Sequence, residues 1–165
     1  MNSSATTPFS IIRNCKIPAS VKIVGWVNLY ESEFGEFVQI GPFVEVGGAK
    51  IGSHTKISSG SYICPNVTIG DHCFIAHGVM FCNDSLTVPA EYDHTDELAD
   101  QWEPLKTIVG NCVRIGSGSV ILPGITIHDH AIIGAGAVVT HDVVAGATVA
   151  GVPARAMVPH PRIEV

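Results

Sequence analysis

Residues 73–84 read CFIAHGVMFCND and contain side chains able to handle a proton or a polar substrate: His77, Asn83 and Asp84. An imidazole takes up or delivers a proton near neutral pH, which suits His77 to general acid–base work. The Asn83 carboxamide can accept an N–H from an amine but has no basicity at neutral pH. Its chemistry is therefore orientation of a nucleophile rather than activation of one. Asp84 either pairs with a substrate ammonium or braces the chain that follows. The bland alternative for Asn83 is a turn residue, since Asn and Asp cap their own backbone at corners. Of the other histidines, His54, His72, His128, His130 and His141 fall mostly at positions where a hydrated corner is the default, and His94 has no fixed register.

What must position these groups is visible as a period. In VRIGSGSVILPGITI (113–127) an isoleucine recurs at 115, 121 and 127, every sixth residue. Six is neither the two-residue period of a strand nor the 3.6 of a helix. The series extends as Val109, Ile115, Ile121, Ile127, Ile133, Val139, Ala145 and Gly151, and an earlier run holds Ile51, Ile57, Ile63, Ile69, Ile75 and Phe81. The fourth residue after each is small or β-branched: Thr55, Ser61, Val67, Cys73, Val79, then Val113, Ser119, Ile125, Ala131, Ala137, Val143 and Val149. Gly, Asn, Asp and His stand between, residues that tolerate tight turns and positive φ.

Each hexad thus reads as a short strand and a corner, and three hexads close one triangular coil of about eighteen residues. Residues one coil apart stack at about 4.8 Å, the spacing of neighbouring strands. Ile57 is expected under Ile75, and Ile115 under Ile133. A looser series upstream, Ile11, Ile17, Ile23, Leu29, Ile40 and Val46, carries one-residue slips before Ile40 and before Ile51. About seven coils are expected, in one all-β domain spanning 1–165, with a short tail from 152 to 165. Cys15 and Cys73 fall in the small inward column, and Cys64 and Cys82 are neighbours one coil apart.

The period lapses between Phe81 and Val109. The stretch 82–108 has no aliphatic repeat and carries seven of the fifteen acidic residues, with Tyr92 and Trp102. A long irregular insertion in a compact domain is usually functional. It reads as a flap over a site, supplied across a neighbouring subunit.

Composition narrows the classes. The chain has 165 residues, 46% hydrophobic and 15% charged, which is enough for one packed core. Nine basic residues stand against fifteen acidic, a net charge of −6, the wrong sign for a nucleic-acid binder. No basic-then-apolar leader opens the sequence, and no apolar run approaches the roughly 18 residues of a membrane span. Five cysteines without a CxxC pattern suit a reducing compartment, so a cytoplasmic protein is expected.

With these residues in place, the chain resembles the hexapeptide-repeat acyltransferases from about residue 11 to 158. CFIAHGVMFCND, WEP (102–104), GSGSVILPGITI (116–127), AIIGAGAVVT (131–140) and VAGVPAR (149–155) are most similar to the sugar-nucleotide amine N-acetyltransferases. That resemblance implies a left-handed parallel β-helix, a homotrimer, and transfer of acetyl from acetyl-CoA to an amine on a nucleotide-linked deoxysugar for surface polysaccharide. It implies the orienting role for Asn83; His77, six residues earlier and so on the preceding face, reads as a proton acceptor near the thioester or a polar corner residue, and no metal is expected. It implies coenzyme contacts at Ser119, Ala137 and Arg155, the last to a phosphate. The sequence departs from the pattern at Pro89, followed by Ala90 where Arg is common, and at His128, where a corner glycine is usual. The first departure bears on substrate, not on chemistry.

Such a transfer needs a placed nucleophile, an outlet for its proton and a donor for the oxyanion. An amine attacks as its free base and asks chiefly for positioning. A sugar hydroxyl needs a base worth on the order of 10²–10⁴ in rate, so O-acetylation is the alternative reading. A second alternative, similarity to the γ-carbonic anhydrases with their three-histidine zinc site, rests on the offset of His72 and His77, but Glu36 stands where the third ligand belongs.

Overall fold

The computed structural model describes residues 10–83 and 105–157. Its strands are two to four residues long and stack into three parallel sheets, the faces of a prism. The first face runs from Ile11–Arg13 through Val27–Tyr30, Val44–Gly47, Tyr62–Ile63, Met80–Phe81 and Val120–Ile121 to Val138–Val139, seven strands in all. The second face has five strands, from Glu33–Phe34 to Thr126–Ile127. The third runs from Lys22–Ile23 to Thr148–Ala150 and ends on Arg155–Ala156, which pairs antiparallel. The protein is a left-handed parallel β-helix of about seven coils, and no helix occurs among the described residues.

The sixfold spacing explains this shape. A strand of two residues can turn only one side chain inward, and the next inward position comes after a corner. Ile57, Ile75, Ile115 and Ile133 stack in register on the third face, as the period predicts. All four are 0–1% exposed, and Ile63, Ile69, Phe81, Ile121, Ile127 and Val139 complete the other two columns. The small residues Thr55, Ser61, Cys73, Val79, Val113, Ser119, Ala131 and Ala137 are buried between them. Backbone amides close the stack coil on coil: Ser58 N donates to the Ile75 carbonyl at 2.8 Å, Ala76 N to Ile115 at 2.9 Å, and Gly116 N to Ile133 at 2.8 Å.

Coil length departs from the regular repeat at both ends. The lower coils advance 17 residues, as between Ser20 and Phe37, and the later ones 18, as between Asn111 and Asp129. The missing residue comes out of the corner from the first face to the second each time, which accounts for both upstream slips. Phe34, not anticipated from the period, fills the second face there and is 5% exposed. Ile12 rather than Ile11 lies below Leu29 for the same reason. Across the insertion the step is 40, from Asp71 to Asn111.

At the upper end the expected inward pair Ala145 and Gly151 is exposed. Val143 pairs with Ile127 and Val149 with Ile133 instead, so both leave the small column for the strand column. The last coil is 16 residues, shortened where Asp142 Oδ1 accepts the Thr126 amide at 2.7 Å. Volume decides this: two valines fill a prism that alanine and glycine would leave hollow.

Candidate active site

His77 sits at the edge between the third and first faces, immediately before the strand Met80–Phe81, and its side chain is exposed. Its carbonyl accepts the Gly118 amide at 2.8 Å, and Gly78 N donates to the Ser59 carbonyl at 3.0 Å, so the backbone is pinned from above and below. The imidazole borders a groove of about 320 Å³ on the third face with Lys56, Phe74, Ser58, Ser59 and Pro42. The Lys56 ammonium lies 5.8 Å from the centre of the Phe74 ring. No carboxylate among the described residues lines this groove, so on a chain of net charge −6 it presents a local cation. Lys56 was not singled out by pattern reading. The signal was there: Ile57 faces inward, so Lys56 must face outward, directly below Phe74 in register.

Asn83 lies at the other end of the same strand, where the chain leaves the edge between the first and second faces for the insertion. The Cys82 amide still donates to the Ile121 carbonyl at 2.9 Å, so the strand is held up to the residue before Asn83. Six residues of extended chain separate Asn83 from His77, on the order of 15–20 Å. One chain therefore does not bring them together. Asp84, His94 and most of the expected flap, 84–104, lie outside the described residues.

Ser119 and Ala137 are both 0% exposed, with their side chains inside the prism. The Ser119 hydroxyl donates to the carbonyls of Gly116 at 2.8 Å and Gly134 at 3.0 Å. The Ala137 amide donates to Gly134 at 3.2 Å, and its carbonyl accepts Val120 N at 2.8 Å. These two residues shape the third–first edge above His77 from within. The outward groups at the same corners belong to Ser117, Gly118, Ala135 and Gly136. Arg155 is exposed on the strand that folds back over the last coil, where Ala154 N donates to the Val138 carbonyl at 2.7 Å. It borders a hollow of about 450 Å³ with His141, Asp142 and Val144.

The first face carries a polar and aromatic cluster. Burial, then the neighbouring Tyr30, Cys64 and Glu45, pushes the Tyr62 phenol up to about 12. Burial and Glu45 also raise Tyr30, whose hydroxyl donates to Glu45 at 3.4 Å. Burial raises the Cys73 thiol, which donates to the Gly110 carbonyl at 3.0 Å. His72 belongs to the second–third edge, its ring stacked at 4.7 Å on His54, one full face away from His77. Among the described residues no three His, Cys, Asp or Glu side chains converge. Cys15, Cys73 and Cys112 are free thiols.

Residues 48–83 and 106–141 match the family model described as bacterial transferase hexapeptide (six repeats). The chain carries the hexapeptide repeats of that family in these two segments. The matched segments are the regular coils on either side of the insertion. The chain is 32% identical over 154 residues to the bifunctional protein GlmU of Acidithiobacillus ferrooxidans, covering 93% of this chain and 30% of that protein. The chain thus spans under a third of the length of that relative. A hexapeptide transferase family protein from Anaplasma phagocytophilum superposes with a TM-score of 0.70 at 17% identity, covering 87% of this chain and 77% of that one. A variant of AntD, an N-acyltransferase from Bacillus cereus in complex with dTDP and coenzyme A, superposes with a TM-score of 0.56 at 20% identity, covering 93% and 85% of the two chains. The fold is common to the two solved structures.

Proposed function

We propose that the chain is an acetyl-CoA-dependent N-acetyltransferase acting on the amine of a nucleotide-linked amino-deoxysugar, at a site shared between adjacent chains of a homotrimer. The observation that carries this reading is the separation of His77 and Asn83 onto two edges of one prism. Parallel prisms in a ring contact one another through two different surfaces, and in this reading one chain's third–first edge meets another's first–second edge. His77 and its Lys56-bearing groove would then face Asn83 and the neck of the insertion across a crevice. AntD, with the same fold, is an N-acyltransferase that binds dTDP and coenzyme A, which supports a nucleotide-linked amine and an acyl thioester as co-substrates.

In this crevice the Asn83 carboxamide accepts an N–H from the substrate amine and aims the lone pair at the thioester carbonyl. The C–N bond forms, the C–S bond breaks, and coenzyme A leaves as its thiolate. His77 takes the amine proton and passes it to that thiolate. Asp84 pairs with the substrate ammonium before it is deprotonated. The pantetheine lies along the upper coils of the third–first edge, against the outward groups of the corners shaped by Ser119 and Ala137. Arg155, one coil beyond, pairs with a phosphate. No metal enters this scheme.

Two experiments test it. Asn83→Ala is expected to fold normally and to lose most turnover with an amino-sugar nucleotide; full activity would remove Asn83 from the mechanism. Chains carrying His77→Ala, co-assembled with chains carrying Asn83→Ala, should recover about a quarter of wild-type activity, the share of contacts that pair two intact edges in a ring. No recovery would place the site within one chain. The hydroxyl analogue of the same nucleotide sugar is expected to turn over far more slowly than the amine; the reverse order would make the enzyme an O-acetyltransferase.

A further inference from the structure

Below His77 on the same edge stands an aromatic pair that the proposed reaction does not use. Trp26 and Phe43 lie at the third–first edge on the lower coils, with ring centres 5.4 Å apart and planes at 77°. They are 50% and 64% exposed. They open onto a hollow of about 320 Å³ on the first face, bordered by Ile11, Asn28 and Glu45. Asn28 lines it, and the Oδ1 of this residue is buried with no hydrogen-bond partner, alone in this respect among the buried side-chain atoms of the described residues. Asn28 is held in register between Ile11 and Glu45, so its side chain stays on this face. A buried acceptor is ordinarily paired, and one left open calls for a donor from a ligand.

A flat ring that stacks on an exposed aromatic and presents an N–H answers both features. Resting on the nucleotide-sugar reading above, we propose that this hollow seats the substrate's nucleobase. Its ring lies against Trp26 and Phe43, and one of its N–H groups donates to Asn28 Oδ1. The distances agree. The strand after Phe43 lies two steps below the strand after His77, and the one after Trp26 three, which puts the pair roughly 10–14 Å down the edge from His77. Lys56 stands on the coil between them, in the wall of the His77 groove, where a diphosphate bridging base and amino sugar would pass. The basic partner that Ala90 fails to supply is thus provided from the prism itself.

The test uses the full chain with GDP, UDP and dTDP as probes, followed by calorimetry and by indole fluorescence in a Trp102→Phe background, where Trp26 is the sole tryptophan. At least one diphosphate is expected to bind and to quench Trp26. Trp26→Ala and Asn28→Leu are each expected to weaken that binding about tenfold or more, with coenzyme A binding unchanged. Trp26→Phe and Asn28→Asp, which keep a ring and an acceptor oxygen, should lose less. Equal binding by wild type, Trp26→Ala and Asn28→Leu would overturn the subsite while leaving the nucleotide-sugar reading standing. A change of oligomeric state in Trp26→Ala without loss of diphosphate affinity would assign the pair to a subunit contact and overturn it. If none of the diphosphates binds, the subsite also falls. Acetylation of an unlinked amino sugar would then show that the nucleotide part of the wider reading fails with it.

Discussion

At the scale of the residue, the first face shows how packing sets chemistry. Tyr62 lies between the strands of Glu45 and Met80, with Tyr30 beside it, and its phenol ionises only at about 12. The free phenol ionises near 10, so the unfolded chain loses this proton first. Stability from the protonated phenol is complete below about pH 10 and is lost as pH rises toward 12. Tyr62→Phe is therefore expected to unfold less steeply with pH across that window, measured by urea melts at stepped alkaline pH. Gly47 illustrates the reverse dependence: a Cβ there would overlap the Tyr30 ring, so the glycine is what lets that ring lie on the face. Asn83 and His77 stand out as candidates from residue type and spacing. The Asn28 hollow was not, because an outward asparagine in a strand looks like any solvated one until its neighbours are in place.

At the scale of the element, a coil is a strand too short to hold itself, and its corners do the holding. At the second–third edge the Asp71 carboxylate accepts Ser53 N at 2.6 Å, Asn111 Oδ1 accepts Asp71 N at 2.8 Å, and Asp129 accepts Asn111 N at 2.7 Å. This ladder bridges the 40-residue step and ties the coil before the insertion to the one after it. Asn111→Ala removes the middle rung and is expected to lower stability by about 1 kcal/mol, read as a shifted urea midpoint with unchanged slope. Positive φ at Asn14, His54, Asn66, His72 and His130 follows the residue types expected at corners. Glu31, Phe37, Phe43 and Cys112 adopt it too, with no such signal in their identity. The ring stack of Phe37 on His54 at 5.0 Å shows what holds one of them: contact with the next coil, not local preference.

At the scale of the whole molecule, the prism is a one-dimensional stack, and each coil leans only on its neighbours. Ile75 and Ile23 occupy the same column, but Ile75 is fully buried at mid-height and Ile23 is half-buried on a lower coil with fewer neighbours. Ile75→Ala is expected to cost about 2–5 kcal/mol and Ile23→Ala clearly less, measured by denaturant unfolding; equal losses would mean that the stack melts as one undivided block. The period by itself determined the prism, the approximate number of coils, the inward columns of the regular middle coils and the place of the insertion, because each follows from which residues are apolar at a fixed step. Tertiary structure alone decided that Val143 and Val149, not Ala145 and Gly151, close the top, since only the filled volume distinguishes them. It alone decided that Lys56, Phe74 and His77 border one groove, and that Trp26 and Phe43 meet beside Asn28 on the lower coils. A sequence records which way a side chain faces, whereas an edge is made of residues a full coil apart, and their meeting depends on the length of every coil between.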